Sequence, residues 1–166
     1  MTQHFIVYSP SRAGKSTYVI KKLAKTPIVK FNFGYYIDNA DQEILSLTEN
    51  IALELTHFTS KDHLSLILDD VNEAQTVDER QLVEKEMDKI YSLVEQANAD
   101  SDAPNIDHVY WVGTMQNMVK EITERCLNDI ALNPQEDLSV KHQIVTHKND
   151  RPSDMEPFDV YTVTVE

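Results

Sequence analysis

Gly14, Lys15 and Ser16 stand in a row near the start of the chain, and together they could hold a phosphate. Binding a phosphate chain takes a concave array of backbone N–H donors, a helix N-terminus pointed at it and a cation that follows its charge. Gly14 permits close backbone approach, Lys15 can reach terminal phosphates, and the Ser16 hydroxyl can ligate Mg²⁺. Ser11, Arg12, Ala13 and Thr17 complete the candidate nucleotide-binding set within Ser9-Pro10-Ser11-Arg12-Ala13-Gly14-Lys15-Ser16-Thr17. The chain has only three glycines, Gly14, Gly34 and Gly113, so one placed here is informative. A plain strand-to-helix turn with an exposed lysine is the alternative. Residues 1–35 hold Arg12, Lys15, Lys21, Lys22, Lys25 and Lys30 and no Asp or Glu, a charge of +6; the rest carries nine basic and 28 acidic residues, −19, within a formal total of −13. That bias would steer a polyanionic nucleotide to this end, although Lys21, Lys22 and Lys25 also fit a solvated helix face.

The stretch resembles the P-loop family, whose motif runs Gly-x-x-x-x-Gly-Lys-Ser/Thr, with one departure: Ser9 stands where the first Gly is expected. A Ser there requires the loop to begin in a conformation open to a side chain. Leu66-Ile67-Leu68-Asp69-Asp70 is similar to the Walker B element of that family, in which apolar residues lock a strand inside a sheet and an acidic side chain emerges toward the metal. The resemblance implies ATP and Mg²⁺ as cofactors, with Ser16 and Asp69 the metal partners, Asp69 through water. Asp70 falls where many such ATPases carry the Glu that orients the attacking water. Asp is one methylene shorter, and Glu73 could substitute if the turn bends back. Both Asp70 and Glu73 also read as charge at a helix N-terminus.

In nucleotide kinases the acidic strand tends to come early and an Arg-rich lid follows, whereas here a complete strand-helix unit separates the loop helix from Asp69. The next apolar run ends in Val112-Gly113-Thr114-Met115-Gln116. That arrangement resembles the RecA-like and AAA-type ATPases, whose following strand ends in a polar residue that senses the γ-phosphate. Thr114 or Gln116 would take this role, so Lys15, Asp70 and Gln116 form the implied catalytic set; Thr114 equally suits an N-cap. Lys148 and Arg151 lie in a loop whose counterpart in RecA-like assemblies reaches a neighbour's nucleotide. They equally suit a charged surface turn with Pro152.

A scaffold must bring these groups together. Phe5-Ile6-Val7-Tyr8 reads as a buried strand entering the loop, and a helix over 15–24 follows, stopped before Pro27. Residues 28–33 form a second strand. An Asp38-Asn39 cap signal precedes a helix striped by Ile44, Leu47, Ile51 and Leu55. Residues 64–68 make a third strand. A long helix over 78–97 sets Val83, Met87, Ile90, Val94 and Ala97 on one face, and 99–105 is its polar loop. After a fourth strand over 108–112, Met115, Val119, Ile122 and Cys126 stripe another helix. Residues 140–146 and 158–165 alternate like paired antiparallel strands around the turn-rich 148–153. The pattern predicts a single α/β domain over 1–166, with a mainly parallel sheet flanked by helices on both faces and an antiparallel strand pair at the C-terminal edge. With the resemblance, it is a single-domain P-loop NTPase fold. Ligands of such sheets sit at the carboxyl ends of the strands, where the phosphate loop also lies.

The 166 residues, 41% of them hydrophobic, suffice for one core, and no run approaches the roughly 20 apolar residues of a membrane span. Met1-Thr2-Gln3-His4 runs straight into the first strand without a basic leader, and Cys126 is the sole cysteine, so a cytoplasmic location is expected. The net charge disfavours DNA binding by the whole surface. DNA contact would be local, near the basic N-terminal end, and a protein partner with a basic surface suits residues 36–166. Six scattered histidines suggest no zinc site, Trp111 reads as packing, and Tyr35 and Tyr36 could face the nucleotide. The expected function is a Mg²⁺-dependent RecA-like ATPase in DNA transactions or assembly, with homo-oligomerisation open, of the stand-alone kind that phage or mobile-element genomes encode. Two alternatives stand beside it. One is a nucleoside or nucleotide kinase, against which the missing lid arginines count; the other is a nonhydrolytic nucleotide-binding switch or scaffold, favoured by Ser9 and Asp70.

Overall fold

The computed structural model describes residues 2–10, 14–41, 46–132, 135–146 and 157–165. Among them, β1 (Gln3–Tyr8) leads to α1 (Lys15–Lys22), β2 (Ile28–Asn32), α2 (Phe33–Asp38), α3 (Leu47–Leu55) and β3 (His63–Asp69). Then come α4 (Val77–Ala99), β4 (Asn105–Gly113), α5 (Met118–Leu132), β5 (Leu138–Val145) and β6 (Phe158–Val165). The strands form one mixed sheet in the order β2-β3-β4-β1-β6-β5. The first four strands run parallel, while β6 is antiparallel to both β1 and β5. The closing pair therefore extends one edge, as its alternation predicts.

Strands covered on both faces carry continuous apolar runs, and β3 is buried without a break from Leu64 to Leu68. Alternate residues feed two cores. Ile6, Leu66, Leu68 and Trp111 pack with Phe33 of α2, Ile51 of α3, Met87 of α4 and Ile122 of α5. Phe5, Val7, Ile67, Tyr110 and Val112 pack instead with Val19 of α1 and Leu23 just after it. Cover is unequal: four helices serve one face and, among the described residues, α1 alone serves the other.

The long helix keeps its expected stripe, with Val83, Met87, Ile90, Val94 and Ala97 all buried. Thr76 caps it by accepting the Glu79 N–H at 3.1 Å. Arg125 ties α5 to α4, meeting Asp88 at 2.7 Å and Glu121 at 3.0 Å. Several boundaries differ from expectation: β4 begins at Asn105, inside the expected 99–105 loop, and Met115 of the expected stripe precedes α5. The second strand stops at Asn32, whose side chain accepts the Tyr35 N–H at 2.8 Å and so caps α2, a short helix hidden by the apolar run. Asn39 consequently closes α2 instead of opening α3, which starts after Ser46, whose hydroxyl accepts the Glu49 N–H at 3.1 Å. Ile44 and residues 148–153 lie outside the described residues. Among the described residues, no helix is long and apolar enough to cross a membrane.

Candidate functional site

The carboxyl ends of β1, β4 and β3, side by side in the sheet, are stitched together by backbone hydrogen bonds. The Val71 N–H donates to the Val112 carbonyl at 2.9 Å, and the N–H groups of Thr114 and Met115 both donate to the Val71 carbonyl at 3.1 Å. Ser9 N–H reaches the Gly113 carbonyl at 3.4 Å. Only Gly fits at 113, because a Cβ there would lie 2.1 Å from the Val71 carbonyl oxygen. With β4 between β1 and β3, Thr114 emerges between the Lys15 loop and the acidic pair. An open cavity of about 700 Å³ lies here, and Lys15, Ser16, Asp69, Asp70, Glu73 and Thr114 all line it.

Gly14 opens α1 in the left-handed conformation, φ 73°, which a side chain disfavours. Ser9 needs no such freedom: among the described residues Asp70 is the one non-glycine with positive φ. The Ser in place of the motif's first Gly therefore brings no backbone strain. Lys15 is only 8% exposed, and its Nζ lies 3.5 Å from the Ser9 carbonyl. Burial lowers the Lys15 pKa, while the charges of Asp69 and Asp70 pull it back upward. Thr17 also lines the cavity. Ser11, Arg12 and Ala13 lie outside the described residues, as do Lys148 and Arg151.

Asp69, at the end of β3, collects three donors. Its Oδ2 accepts the Ser16 hydroxyl at 2.7 Å and lies 3.5 Å from the Lys30 ammonium, and its Oδ1 accepts the Asp70 N–H at 2.9 Å. A serine hydroxyl beside a carboxylate is a hard-oxygen donor set suited to Mg²⁺. Among the described residues, no three His, Cys, Asp or Glu side chains converge to hold a metal by themselves. Mg²⁺ commonly keeps several water ligands beside one or two protein oxygens, and Ser16 and Asp69 could supply those two.

Asp70 takes φ 56°, and its Oδ2 accepts the Asn32 side-chain amide at 2.6 Å. Neither Asp70 nor Glu73 charges the start of α4, whose cap is Thr76 and whose first turn carries Asp78 and Glu79. Glu73 lines the cavity, with Oε1 accepting the Gln116 N–H at 2.6 Å. Gln116 itself is not among the lining residues. Thr114 is, and its hydroxyl donates to Asn72 Oδ1 at 3.0 Å, well ahead of the first residue of α5. Of the two candidate sensors, Thr114 is thus the one at the cavity. Tyr35 is exposed and packs edge-on against Tyr36, and neither ring lines the cavity. Trp111 is fully buried, as expected of packing.

Two contributors escaped the sequence: Lys30 and Asn32, both on β2. Lys30 counted only toward the basic bias, and Asn32 read as mid-strand. The one usable signal is register, since Asn32 is the Cα partner of Asp69 once β2 is laid against β3. Compared with known proteins, the chain matches no family model, no curated protein and no solved structure.

Proposed function

We propose that this chain is a Mg²⁺-dependent nucleoside triphosphatase of the RecA-like or AAA type, with a P-loop fold and ATP as its nucleotide. The observation that carries the proposal is the 2.7 Å hydrogen bond from the Ser16 hydroxyl to Asp69. It joins the two elements expected to share a metal, from distant parts of the sequence, at the mouth of one cavity. Lys15, largely buried beside two carboxylates, would neutralise the terminal phosphates, and the N-terminus of α1 would direct its backbone N–H groups at them. Ser16 and Asp69 would hold Mg²⁺, which would supply charge neutralisation at the phosphate oxygens. Asp70 would orient the attacking water, and Thr114, which lines the same cavity, would sense the γ-phosphate.

The insertion of β4 between β1 and β3 favours this reading over a kinase, because it sets a polar strand end between the phosphate loop and the acid. Arg125 clamps α4 to α5 through Asp88 and Glu121 and so is not a lid arginine. One observation favours a nonhydrolytic switch: the carboxylate of Asp70 is already engaged by Asn32. Partners follow from charge. A protein with a basic surface suits the acidic body of the chain, DNA contact is confined to the basic N-terminal end, and action in DNA transactions or assembly fits both.

Phosphate release from ATP with Mg²⁺, with and without single-stranded DNA and beside a panel of nucleoside and nucleotide acceptors, separates the readings. Release into water that falls by about 100-fold or more in Lys15→Ala is the expected result. Acceptor-dependent transfer would make the chain a kinase, and binding without turnover would make it a switch. Nucleotide binding undiminished in Lys15→Ala would remove the whole proposal.

A further inference from the structure

Lys30 stands where no phosphate-binding motif asks for a cation. It lies on β2, is the Cα partner of Ile67, and so projects on the α1 side of the sheet. Its ammonium is 3.5 Å from Asp69 Oδ2, the same oxygen that accepts the Ser16 hydroxyl. The Asp69 side chain is 13% exposed and the Lys30 side chain 42%, so solvent screens the pair in part and Lys30 has room to move. Lys15 approaches the same carboxylates from the phosphate loop and feels both Asp69 and Asp70. Two ammonium groups thus face two carboxylates before any ligand arrives. Glu73, the other acidic side chain of the cavity, is turned to the Gln116 amide.

We propose that Lys30 is a built-in counter-ion that makes divalent-metal binding at Ser16 and Asp69 conditional on nucleotide. The inference rests on the nucleotide reading and deepens it by assigning the order of entry. A divalent ion arriving alone meets the Lys30 ammonium 3.5 Å from Asp69 Oδ2, its main protein ligand, and has among the described residues Ser16 and Asp69 to hold it. At such separations the repulsion exceeds thermal energy several-fold even with an effective dielectric constant of about 20. A triphosphate reverses the balance, because it brings negative charge and several oxygen ligands. Lys30 can then leave Asp69 for solvent or for a phosphate oxygen. Metal and nucleotide therefore bind with strong positive coupling, and Lys30 sets part of its size.

The test is a titration with Mn²⁺ as the probe metal, bound ion being read by water-proton relaxation enhancement, on the wild type, Lys30→Met and Lys30→Arg, first without nucleotide and then with ATP. Without nucleotide, Lys30→Met should bind Mn²⁺ about tenfold more tightly than the wild type, with Lys30→Arg unchanged because it keeps the charge. Adding Asp69→Asn to Lys30→Met should remove that gain. With ATP, the wild type should gain more Mn²⁺ affinity than Lys30→Met does. Equal free-Mn²⁺ affinity in the wild type and Lys30→Met overturns the inference, as does a gain that survives Asp69→Asn or an equal response to ATP. Failure of the nucleotide reading looks different: no response to ATP in any form, whatever Lys30→Met does on its own, removes that reading and the conditional order with it.

Discussion

Asp70 is held twice, by a left-handed backbone at φ 56° and by the Asn32 amide on its carboxylate at 2.6 Å. Asp tolerates the left-handed region better than most residues. The backbone conformation is therefore affordable, and Asn32 decides where the carboxylate points. An acceptor already occupied at that distance is less able to take a proton from water. In the proposed hydrolase, Asn32→Ala should raise phosphate release by about tenfold while leaving nucleotide affinity unchanged, the size expected for one hydrogen bond to a charged acceptor. Steady-state kinetics beside equilibrium nucleotide binding would check it, and a fall in turnover would mean that Asn32 holds Asp70 in its working position. At this scale the sequence was readable where chemistry is local. Gly14, Lys15 and Ser16 are adjacent, and Asp69 ends an apolar run. Lys30 and Asn32 were unreadable because their contacts cross from β2 to β3, and nothing in a single strand announces its neighbour.

The elements that position the site are joined at Gly113, the last residue of β4, against which the chain leaving β3 runs at Val71. A Cβ at 113 would lie 2.1 Å from the Val71 carbonyl oxygen, 2.6 Å from its carbon and 2.7 Å from its nitrogen. All three are backbone atoms, so no flexible side chain can move aside. Gly113→Ala should therefore cost about 3 kcal/mol or more, at the upper end for overpacking, as a shift of the urea midpoint. It should also weaken the proposed nucleotide binding at temperatures where the variant remains folded, because Thr114 and Asp70 flank the displaced segment. Unchanged stability would show that the strand ends separate easily. The strong helical periodicity of α4 and the run of β3 from Leu64 to Leu68, apolar but for Ser65, made those elements legible. The six-residue α2 was not, since its first residue, Phe33, continues the apolar pattern of β2 and only the Asn32 cap marks the change.

Across the whole molecule, charge and cover are both uneven. The basic bias of residues 1–35 was visible in the sequence, but the division into four helices on one face and α1 on the other depends on which alternate residues each helix meets. The helix-rich face contains a buried histidine that reports on the stability of the fold independently of the site. His4 lies on β1 near the end away from Gly14 and Lys15, is 2% exposed, accepts the Trp111 indole N–H on Nδ1 at 3.1 Å and stacks on Tyr91. Burial pushes its pKa down to about 4 from 6.5. Its folded pKa is thus below its unfolded value, so its contribution is fully present above pH 6.5 and is lost as pH falls through that window toward 4. Below that range the imidazolium must either be buried against an indole N–H or force the core open. The loss attributable to His4 is about 3 kcal/mol at most, from the size of the shift. Carboxylates titrate in the same window, so the comparison needs His4→Gln, which can still accept from Trp111 and carries no proton equilibrium. Urea unfolding from pH 7 to pH 4 should show the wild type losing stability faster than His4→Gln, with the gap opening below pH 6.5 and levelling near pH 4. Parallel curves would mean that His4 takes up its proton in the folded chain at no cost, and that the Trp111 contact does not hold it neutral.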